Sequence, residues 1–317
     1  MQNVGYYNGE IGALETLKGP ALDRAFYFGD GCYEASTFTN NVIVALEEHL
    51  TRFYQSCQLL QIPFDMPADD LAIELQRCID ANELDSGIVY WQCSRGTYFR
   101  MHAFPPSDVK PNLFIYTSPY EMTPPASSFN LISMVDDRYL LCNIKTLNLI
   151  PNVLAAERCR EAGCDEVVFH KDGRVTEGAH SNILMLKDRV LHAPPQDRYI
   201  LPGITLNHLL MLARDIGLEV REDPFTLDDL MDADEVIVSS SGAFCIPASS
   251  IDGVPVGGRD KQTLDQLQNA YEVYYAKATT PVGPAGPAGA TQAPGSTQET
   301  NCVGRARGAE ANSYTPL

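Results

Sequence analysis

Strand-like and helix-like segments alternate along most of this chain, and the alternation restricts it to an α/β architecture. Between residues 47 and 62, apolar side chains recur at spacings of three and four, as in an amphipathic helix. Residues 88–96 are rich in aromatic and β-branched side chains, which favours a strand. We predict helices over 47–62, 68–84, 151–163 and 203–217, and strands over 88–96, 112–117, 129–134, 166–170, 183–186 and 236–239.

Three prolines between residues 119 and 125 interrupt this pattern and mark a domain boundary near residue 120. From Thr279 onward, Pro, Gly, Ala, Thr and Ser replace large apolar residues, so that segment cannot offset its own ordering entropy. We therefore predict a small N-terminal α/β domain over 1–120, a larger domain over 121–279 and a disordered tail over 280–317.

The net charge of −18 argues against nucleic acid and anionic membrane surfaces as partners of this 317-residue chain. A small anionic ligand is compatible with that charge, because local arginines can outweigh the global field. No apolar run reaches the roughly 18 residues of a membrane-spanning helix, and the N-terminus does not resemble a signal peptide. The nine cysteines show no repeated metal-ligand spacing, so we expect free thiols, no metal and a cytoplasmic location.

Lys145 lies in the apolar stretch 140–149, and Glu177 follows 32 residues later. Leu and Ile neighbours are expected to draw the lysine at least partly out of water, which favours its neutral amine. A neutral amine is a nucleophile that forms a Schiff base with a carbonyl or with pyridoxal phosphate. The alternative is a lysine whose stem lies on apolar surface while its ammonium reaches water, which is the commoner outcome for an isolated lysine.

Arg100 and His102 are two residues apart, so they point the same way if the strand or an extended loop continues through them. The arginine fork binds a carboxylate at two places and the imidazole adds another donor. The pair is therefore a candidate carboxylate site. A solvated polar face is the alternative.

Residues 200–205 form a Pro-Gly turn that opens a helix, and such N-termini suit a phosphate. The hydroxyl-rich residues 239–241 follow a predicted strand and offer further donors. Arg52 shares a helix face with His49 and has the reach to bind the same phosphate. Tyr33 follows a tight two-glycine bend that can direct its hydroxyl into a cleft. Plain turns, a solvated helix face and a half-buried loop tyrosine are the alternatives.

These segments together resemble the class IV, or fold type IV, pyridoxal-phosphate transaminases, and most closely those that act on D-amino acids. The resemblance covers residues 1 to about 278 and rests on the order and spacing of its blocks. They are residues 28–34, 95–102, 142–155, 175–178, 181–182 and 200–205.

The resemblance implies a two-domain α/β fold, with a β-barrel-like core in the larger domain and pyridoxal phosphate in the cleft between the domains. Lys145 would hold the cofactor as a Schiff base and move a proton between it and the substrate's Cα. Glu177 would keep the pyridine nitrogen protonated, so that the ring withdraws electrons.

The remaining implied roles concern the phosphate, the cofactor ring and the substrate. Arg52, the backbone at Ile204, Thr205 and Ser241 would bind the phosphate, and Ser240 would line the same pocket. Arg138 would stack or hydrogen-bond near the ring, and Leu201 would pack beside it. Tyr33, Arg100 and His102 would take the substrate carboxylate.

The resemblance implies a homodimeric enzyme. Its function would be to exchange an amino group between a D-amino acid such as D-alanine and a 2-oxo acid such as 2-oxoglutarate. An aminodeoxychorismate lyase, a branched-chain L-amino acid transaminase and an (R)-amine transaminase are alternatives of the same fold. A non-catalytic carrier of the cofactor is an alternative of another class. Ala179 and His180 stand where this class often has small hydroxyl residues, which points to a different substrate range or cofactor potential.

Overall fold

The computed structural model of the chain describes residues 3–281. Residues 282–317, which make up nearly all of the predicted disordered tail, lie outside the described residues. Two sheets organise the described part, one before residue 120 and one after it. The division into domains at residue 120 falls between these sheets and stays a prediction.

The first sheet is antiparallel and has six strands. They are β1 (Val4–Tyr7), β2 (Glu10–Ala13), β3 (Gly31–Thr39), β4 (Val42–Ile43), β5 (Ser86–Ser94) and β6 (Asn112–Ser118), in the order β2-β1-β6-β5-β3-β4. A short helix, α1 (Arg24–Phe28), precedes β3, and α2 (Leu46–Leu59) and α3 (Ala68–Asp80) supply the other side of the core. Trp91 and Phe53 are fully buried within that core.

The second sheet is mixed and has nine strands. They are β7 (Phe129–Val135), β8 (Glu166–Lys171), β9 (Arg174–Val175), β10 (Asn182–Lys187), β11 (Val190–His192), β12 (Glu219–Arg221), β13 (Glu235–Ser240), β14 (Ala243–Ile251) and β15 (Val254–Pro255). Their order is β12-β11-β10-β13-β14-β7-β8-β9, with β15 paired to β14. Register shifts at 238–240 and 248–250 bend the strands, as bulges do, and the sheet curls into a half-barrel.

Four helices accompany the second sheet: α4 (Ile150–Glu161), α5 (Ile204–Asp215), α6 (Leu227–Met231) and α7 (Lys261–Ala278). Leucines of α5 and α7 form a core with β10, β11 and β13, while α4 covers β7 and β8. Thr226 caps α6 through a reciprocal capping box with Asp229. No helix within residues 3–281 is long and apolar enough to cross a bilayer.

The predicted elements are confirmed with small shifts at their ends, and β5 does not continue through Arg100 and His102. The strand stops at Ser94, and residues 99–105 have no regular structure. Gly96 has a φ of +113°, a conformation that departs from the extended backbone. Arg100 and His102 therefore do not share a strand face, and their role at a substrate carboxylate stays a prediction.

The start of β3 pairs with the irregular segment that follows β7. The backbone N–H of Tyr33 donates to the Lys145 carbonyl at 2.9 Å, and that of Leu147 donates to the Gly31 carbonyl at 3.1 Å. Cys32 and Thr146 form an antiparallel bridge between them. This pairing, which we call the lysine bridge (residues 31–33 with 145–147), ties the lysine segment to the first sheet.

A buried ion cluster joins β3 to α2. Arg52 Nε and Nη2 donate to the two carboxylate oxygens of Glu34 at 2.7 and 2.8 Å, and His49 Nδ1 lies 2.7 Å from Glu34 Oε2. Burial alone would raise the pKa of Glu34, but the Arg52 charge and the hydrogen bonds from Arg52 and His49 lower it to about 2. The helix that carries Arg52 is thus held by charge as well as by apolar contact.

We expect Glu34 to stabilise the fold near neutral pH and to lose that contribution in acid. Its pKa is about 2 in the folded protein against 4.5 ordinarily, so the contribution is complete above pH 4.5 and declines as the pH falls toward 2. The full difference corresponds to about 3 kcal/mol of unfolding free energy. Urea titrations of wild type and Glu34→Gln at pH 7 and pH 3.5 measure it. The difference in unfolding free energy between the two proteins should be smaller at pH 3.5 than at pH 7 by about 1 kcal/mol. An unchanged difference would contradict the low pKa of Glu34.

Candidate active site

A cavity of about 630 Å³ lies where five parts of the chain meet. Its wall contains the start of β3, the lysine segment, the loop 177–182, the N-terminus of α5 and the end of β13. Of the residues that the sequence nominates, ten line this cavity: Tyr33, Arg52, Arg138, Lys145, Glu177, Leu201, Ile204, Thr205, Ser240 and Ser241. The structure therefore gathers them at one place although they are spread over more than 200 positions of the chain.

Lys145 is half-buried, and its Nζ lies 4.5 Å from the centre of the Tyr33 ring. The lysine is thus partly out of water, as predicted, and its neighbour Ile144 is buried, although Leu140 and Leu141 are nearly half exposed. The lysine bridge fixes the backbone, and the Tyr33 ring shields one side of the amine. The ring in turn stacks on Tyr90 at 5.4 Å between centroids.

Glu177 is buried in the cavity wall and accepts three hydrogen bonds. Arg138 Nη1 donates to Oε1, while Asn182 Nδ2 and the Leu201 N–H donate to Oε2 at 3.1 and 2.9 Å. Burial raises the pKa of Glu177 to about 7, and the Arg138 charge and the hydrogen bonds limit the rise. A nearby cation, or a hydrogen-bond donor on a ring nitrogen, would stabilise the ionised form of this carboxyl group.

Arg138 is shared between two carboxylates. Its Nε and Nη2 donate to the two oxygens of Asp136 at 2.9 and 2.8 Å, so the fork is committed to Asp136. Only Nη1 faces Glu177. The guanidinium also lies 4.8 Å from the centre of the Phe169 ring. Within this chain Arg138 therefore acts on Glu177, and its predicted contact with a cofactor ring stays a prediction.

The opposite wall is rich in hydrogen-bond donors. Ile204 and Thr205 are the first residues of α5, whose N-cap, Gly203, offers no side-chain cap. The Thr205 hydroxyl donates to the Ser240 carbonyl at 3.1 Å, which joins the helix start to the end of β13. The free N–H groups and positive potential of a helix N-terminus favour an anion here.

Arg52 reaches the same region from α2. Besides its fork on Glu34, its Nη1 donates to the Pro202 carbonyl at 2.9 Å, one residue before the α5 N-cap. Three of the five guanidinium N–H groups are thus engaged by protein. The others are available to an anion at the α5 N-terminus.

The loop after Glu177 is held by a buried acid. Glu166 accepts from the Ala179 N–H at 3.1 Å and from the Ser181 hydroxyl at 2.6 Å, and His180 Nδ1 lies 3.0 Å from it. His180 lines the cavity with its side chain 72% exposed, so it stands at the rim. Gly178 fits tightly there, because a Cβ would lie 2.2 Å from Ser181 Oγ.

Arg100 and His102 are not brought to the cavity of their own chain. Both are exposed on an irregular loop, where the Arg100 guanidinium and the His102 ring lie 5.0 and 5.1 Å from the Phe28 ring centre. Large apolar side chains on the same loop and on α1 are exposed as well: Phe26, Phe99, Met101 and Phe104. The loop is therefore an exposed apolar surface that carries two cationic or donor side chains.

Sequence reasoning missed the buried acids that orient the site. Glu34 positions Arg52, Asp136 positions Arg138, and Glu166 positions the loop after Glu177. Each is at least 97% buried. An acidic residue inside or beside an otherwise apolar strand segment was the available signal, since such residues are rarely buried without a partner. Within residues 3–281, no group of acidic, His or Cys side chains is arranged to hold a metal ion.

Comparison with known proteins gives a consistent result. Residues 31–251 match the family model of the class IV amino-transferases. A D-alanine aminotransferase of Staphylococcus aureus (strain MSSA476) is 36% identical over 273 residues, which cover 85% of this chain and 96% of the relative. One of Bacillus licheniformis is 36% identical over 254 residues, or 79% of this chain and 89% of the relative. The solved branched-chain amino acid aminotransferase of Escherichia coli superposes with a TM-score of 0.79 at 25% identity, over 88% of this chain and 96% of that one.

The family match begins at the first residue of β3 and ends at the last residue of β14. It therefore contains the lysine bridge, the Glu177 loop and the N-terminus of α5. The matched region covers nearly the whole length of both relatives, so the similarity is not confined to one motif. The chain belongs to the class IV aminotransferases.

Proposed function

We propose that this aminotransferase moves an amino group between a D-amino acid, such as D-alanine, and a 2-oxo acid, such as 2-oxoglutarate. The observation that carries the proposal is the cavity that joins Lys145, Glu177 and the α5 N-terminus. The relatives named D-alanine aminotransferase, at 36% identity over most of the chain, support the choice of D-substrates. We also place the enzyme in the cytoplasm, because its many cysteines suit a reducing compartment.

Class IV aminotransferases use pyridoxal phosphate, and the cavity fits it. The Ser239 hydroxyl is buried in the cavity wall without a hydrogen-bond partner, next to the uncapped start of α5. Unused donors at a helix N-terminus suit a phosphate. The residues that would hold the cofactor are Lys145, Glu177, Arg138, Leu201, Arg52, Ile204, Thr205, Ser240 and Ser241. When bound, the cofactor supplies an aldehyde for the amino group and a ring that withdraws electrons from the substrate's Cα.

Lys145 would act as the proton carrier of the reaction. Its Nζ accepts the proton from the substrate's Cα in the uncharged form and returns it afterwards. The Tyr33 ring, 4.5 Å from Nζ, limits the directions in which the amine can swing. Because the lysine bridge fixes Tyr33 and Lys145 to each other, the amine approaches the substrate from a constant side.

Glu177 would hold a proton on the ring nitrogen. A carboxyl group whose pKa is about 7 is poised to share a proton with a neighbouring base, and a nearby cation would favour its ionised form. Arg138, anchored on Asp136, keeps Glu177 Oε1 in place. The Leu201 N–H and Asn182 fix Oε2, so the carboxylate cannot rotate away.

A homodimer would complete the substrate site. Arg100 and His102 remain outside the cavity of their own chain, on a surface with exposed Phe99, Met101 and Phe104. Burial of that surface against a second copy would remove apolar area from water. It would also allow the Arg100–His102 loop to reach the carboxylate of a substrate bound by the other chain.

The substrate class is tested by comparing D- and L-amino acids with 2-oxoglutarate as acceptor. We expect kcat/KM for D-alanine to exceed that for L-valine or L-leucine by at least about 100-fold. Loss of the amino acid and formation of glutamate measure the transfer. Faster reaction with L-leucine would favour the branched-chain class, to which the Escherichia coli structure belongs by name. Pyruvate release from aminodeoxychorismate without transfer would favour a lyase.

Lys145→Ala should reduce kcat by about 10²- to 10⁴-fold or more, because no other amine of the cavity can carry the Cα proton. Borohydride reduction of the holoenzyme followed by peptide mapping should label Lys145 in the wild type. Lys171→Ala is the matched control, since Lys171 contacts the Asp136 carbonyl and does not line the cavity. A label on any other side chain would remove Lys145 from its role.

Arg100→Ala should raise KM for D-alanine by about 10- to 100-fold through loss of charge-assisted hydrogen bonds. The effect on amines without a carboxylate should be much smaller. If the loop serves the other chain, mixing Arg100→Ala with Lys145→Ala protein should regenerate activity, because a mixed dimer contains one site with both residues. Mass spectrometry of the mixture must first show that subunits have exchanged. If the activity of the mixture then equals the sum of the activities of the two variants, the shared site is contradicted.

A further inference from the structure

Three buried thiols converge beneath the lysine bridge, on β3, β5 and α2. Cys32 and Cys93 are directly opposed across β3 and β5, and Cys57 of α2 lies over them. The Sγ atoms of Cys32 and Cys57 are 3.4 Å apart. The eight cysteines within residues 3–281 are free thiols, and none of these three takes part in the proposed transfer. Buried thiols often serve only as small apolar side chains, so a second observation is needed to assign them a role.

That observation is a second cavity, of about 390 Å³, whose wall includes Cys57. It opens between the C-terminal half of α2, the residues after it and the loop around 107–110. Tyr54, Ile62, Phe64, Val109 and Lys110 also line it. Cys57 is only 3% exposed, but the cavity gives small solutes a route to its sulfur.

The charge state of the cluster favours reaction at the same sulfur. Hydrogen bonding with the Cys32 and Cys93 thiols lowers the pKa of Cys57, whereas hydrogen bonding with Cys57, together with burial, raises the pKa of Cys32. The thiolate is the nucleophilic form of cysteine. Among the three thiols, Cys57 is the one whose residue lines the second cavity, and the Cys32 sulfur lies 3.4 Å from its sulfur.

We propose that Cys57 and Cys32 form a peroxide-sensitive thiol pair, with Cys57 as the attacking sulfur and Cys32 as the resolving one. The Cys57 thiolate attacks one oxygen of hydrogen peroxide and becomes a sulfenic acid, and the departing hydroxide takes up a proton to give water. Cys32 then attacks the Cys57 sulfur, the S–O bond breaks, and the Cys32 proton leaves with the hydroxyl group as a second water. Two thiols are oxidised to one disulfide and one peroxide is reduced to two waters.

The geometry allows this bond with little movement. A disulfide has an S–S length of about 2.05 Å, so the sulfurs must approach by about 1.4 Å from their 3.4 Å separation. The part of that approach which side-chain rotation does not supply would draw α2, which carries Arg52, toward β3 at Cys32, the residue that bridges Thr146. Oxidation would therefore disturb the Lys145 segment and the α5 end of the active-site cavity together.

Peptide mapping tests bond formation without reference to the reaction. The holoenzyme is freed of reductant, treated with hydrogen peroxide and alkylated under denaturing conditions. We expect thiols to fall from nine to seven per chain, with Cys32 and Cys57 joined in one peptide pair. Oxidation confined to Cys142 or Cys164, which are less buried, or a Cys57–Cys93 bond would overturn the proposal.

Variants separate the two sulfurs. Cys57→Ser should keep its eight thiols under peroxide. Cys32→Ser should stop at a Cys57 sulfenic acid, which dimedone traps. Cys78→Ser is the matched control, because Cys78 is buried in the same apolar core. Peroxide should still remove two free thiols from this variant. A bond that forms in Cys57→Ser between Cys32 and Cys93 would show that Cys57 is not the attacking sulfur.

The effect of the disulfide on the active site rests on the proposed function and is measured in a separate assay of amino-group transfer. The disulfide form should transfer amino groups at least tenfold more slowly than the reduced form, and dithiothreitol should restore the rate. Peroxide should leave the rate of Cys57→Ser unchanged. If the mapped disulfide is complete and the rate is the same, the coupling is refuted, whereas failure of the transfer assay in reduced protein refutes the function instead.

Discussion

The lysine bridge is the contact on which the rest of the site depends. Lys145 lies on a segment without regular structure, and the neighbouring Leu140 and Leu141 are too exposed to anchor it. Hydrogen bonds to the start of β3 fix the lysine backbone and bring Tyr33 against its amine. Gly31 makes the approach possible, since a Cβ there would lie 2.4 Å from the Cys93 carbonyl oxygen. A strand of the first sheet thus positions Lys145, the proposed reactive group.

Two buried glutamate–arginine pairs flank this bridge, and they have opposite electrostatic states. Glu34 receives two donors of the Arg52 fork, and its pKa falls to about 2. Glu177 receives one donor from an arginine whose fork is committed to Asp136, and its pKa rises to about 7. The first arrangement is a closed ion pair that holds two elements together. In the second arrangement a further positive charge would stabilise ionised Glu177. The proposed site for a protonated ring nitrogen requires this property.

The sequence predicted the elements well because apolar periodicity and Pro–Gly punctuation are local signals. It also nominated most of the cavity residues, since motifs after strands and at helix starts converge in an α/β fold, whereas Arg138 and Leu201 were nominated only through the resemblance to class IV transaminases. It did not predict where the strand before Arg100 and His102 ends, because the stop at Ser94 and the positive φ of Gly96 come from local backbone geometry, and the substrate role of the pair stays a prediction. It missed Glu34, whose importance lies in a contact with a helix 18 residues away that no local pattern encodes.

A net charge of −18 disfavours an anionic cofactor and anionic substrates at long range, so local charges must attract them. Arg52 and Arg138 are each neutralised by a buried carboxylate, so they add little net positive charge to the cavity. The positive potential must come from Lys145 and from the N-terminus of α5, where backbone dipoles and hydroxyl groups act at short range. Such donors are effective in a partly desolvated cavity but are screened outside it. A large net negative charge is therefore compatible with the phosphate site that we propose at the N-terminus of α5.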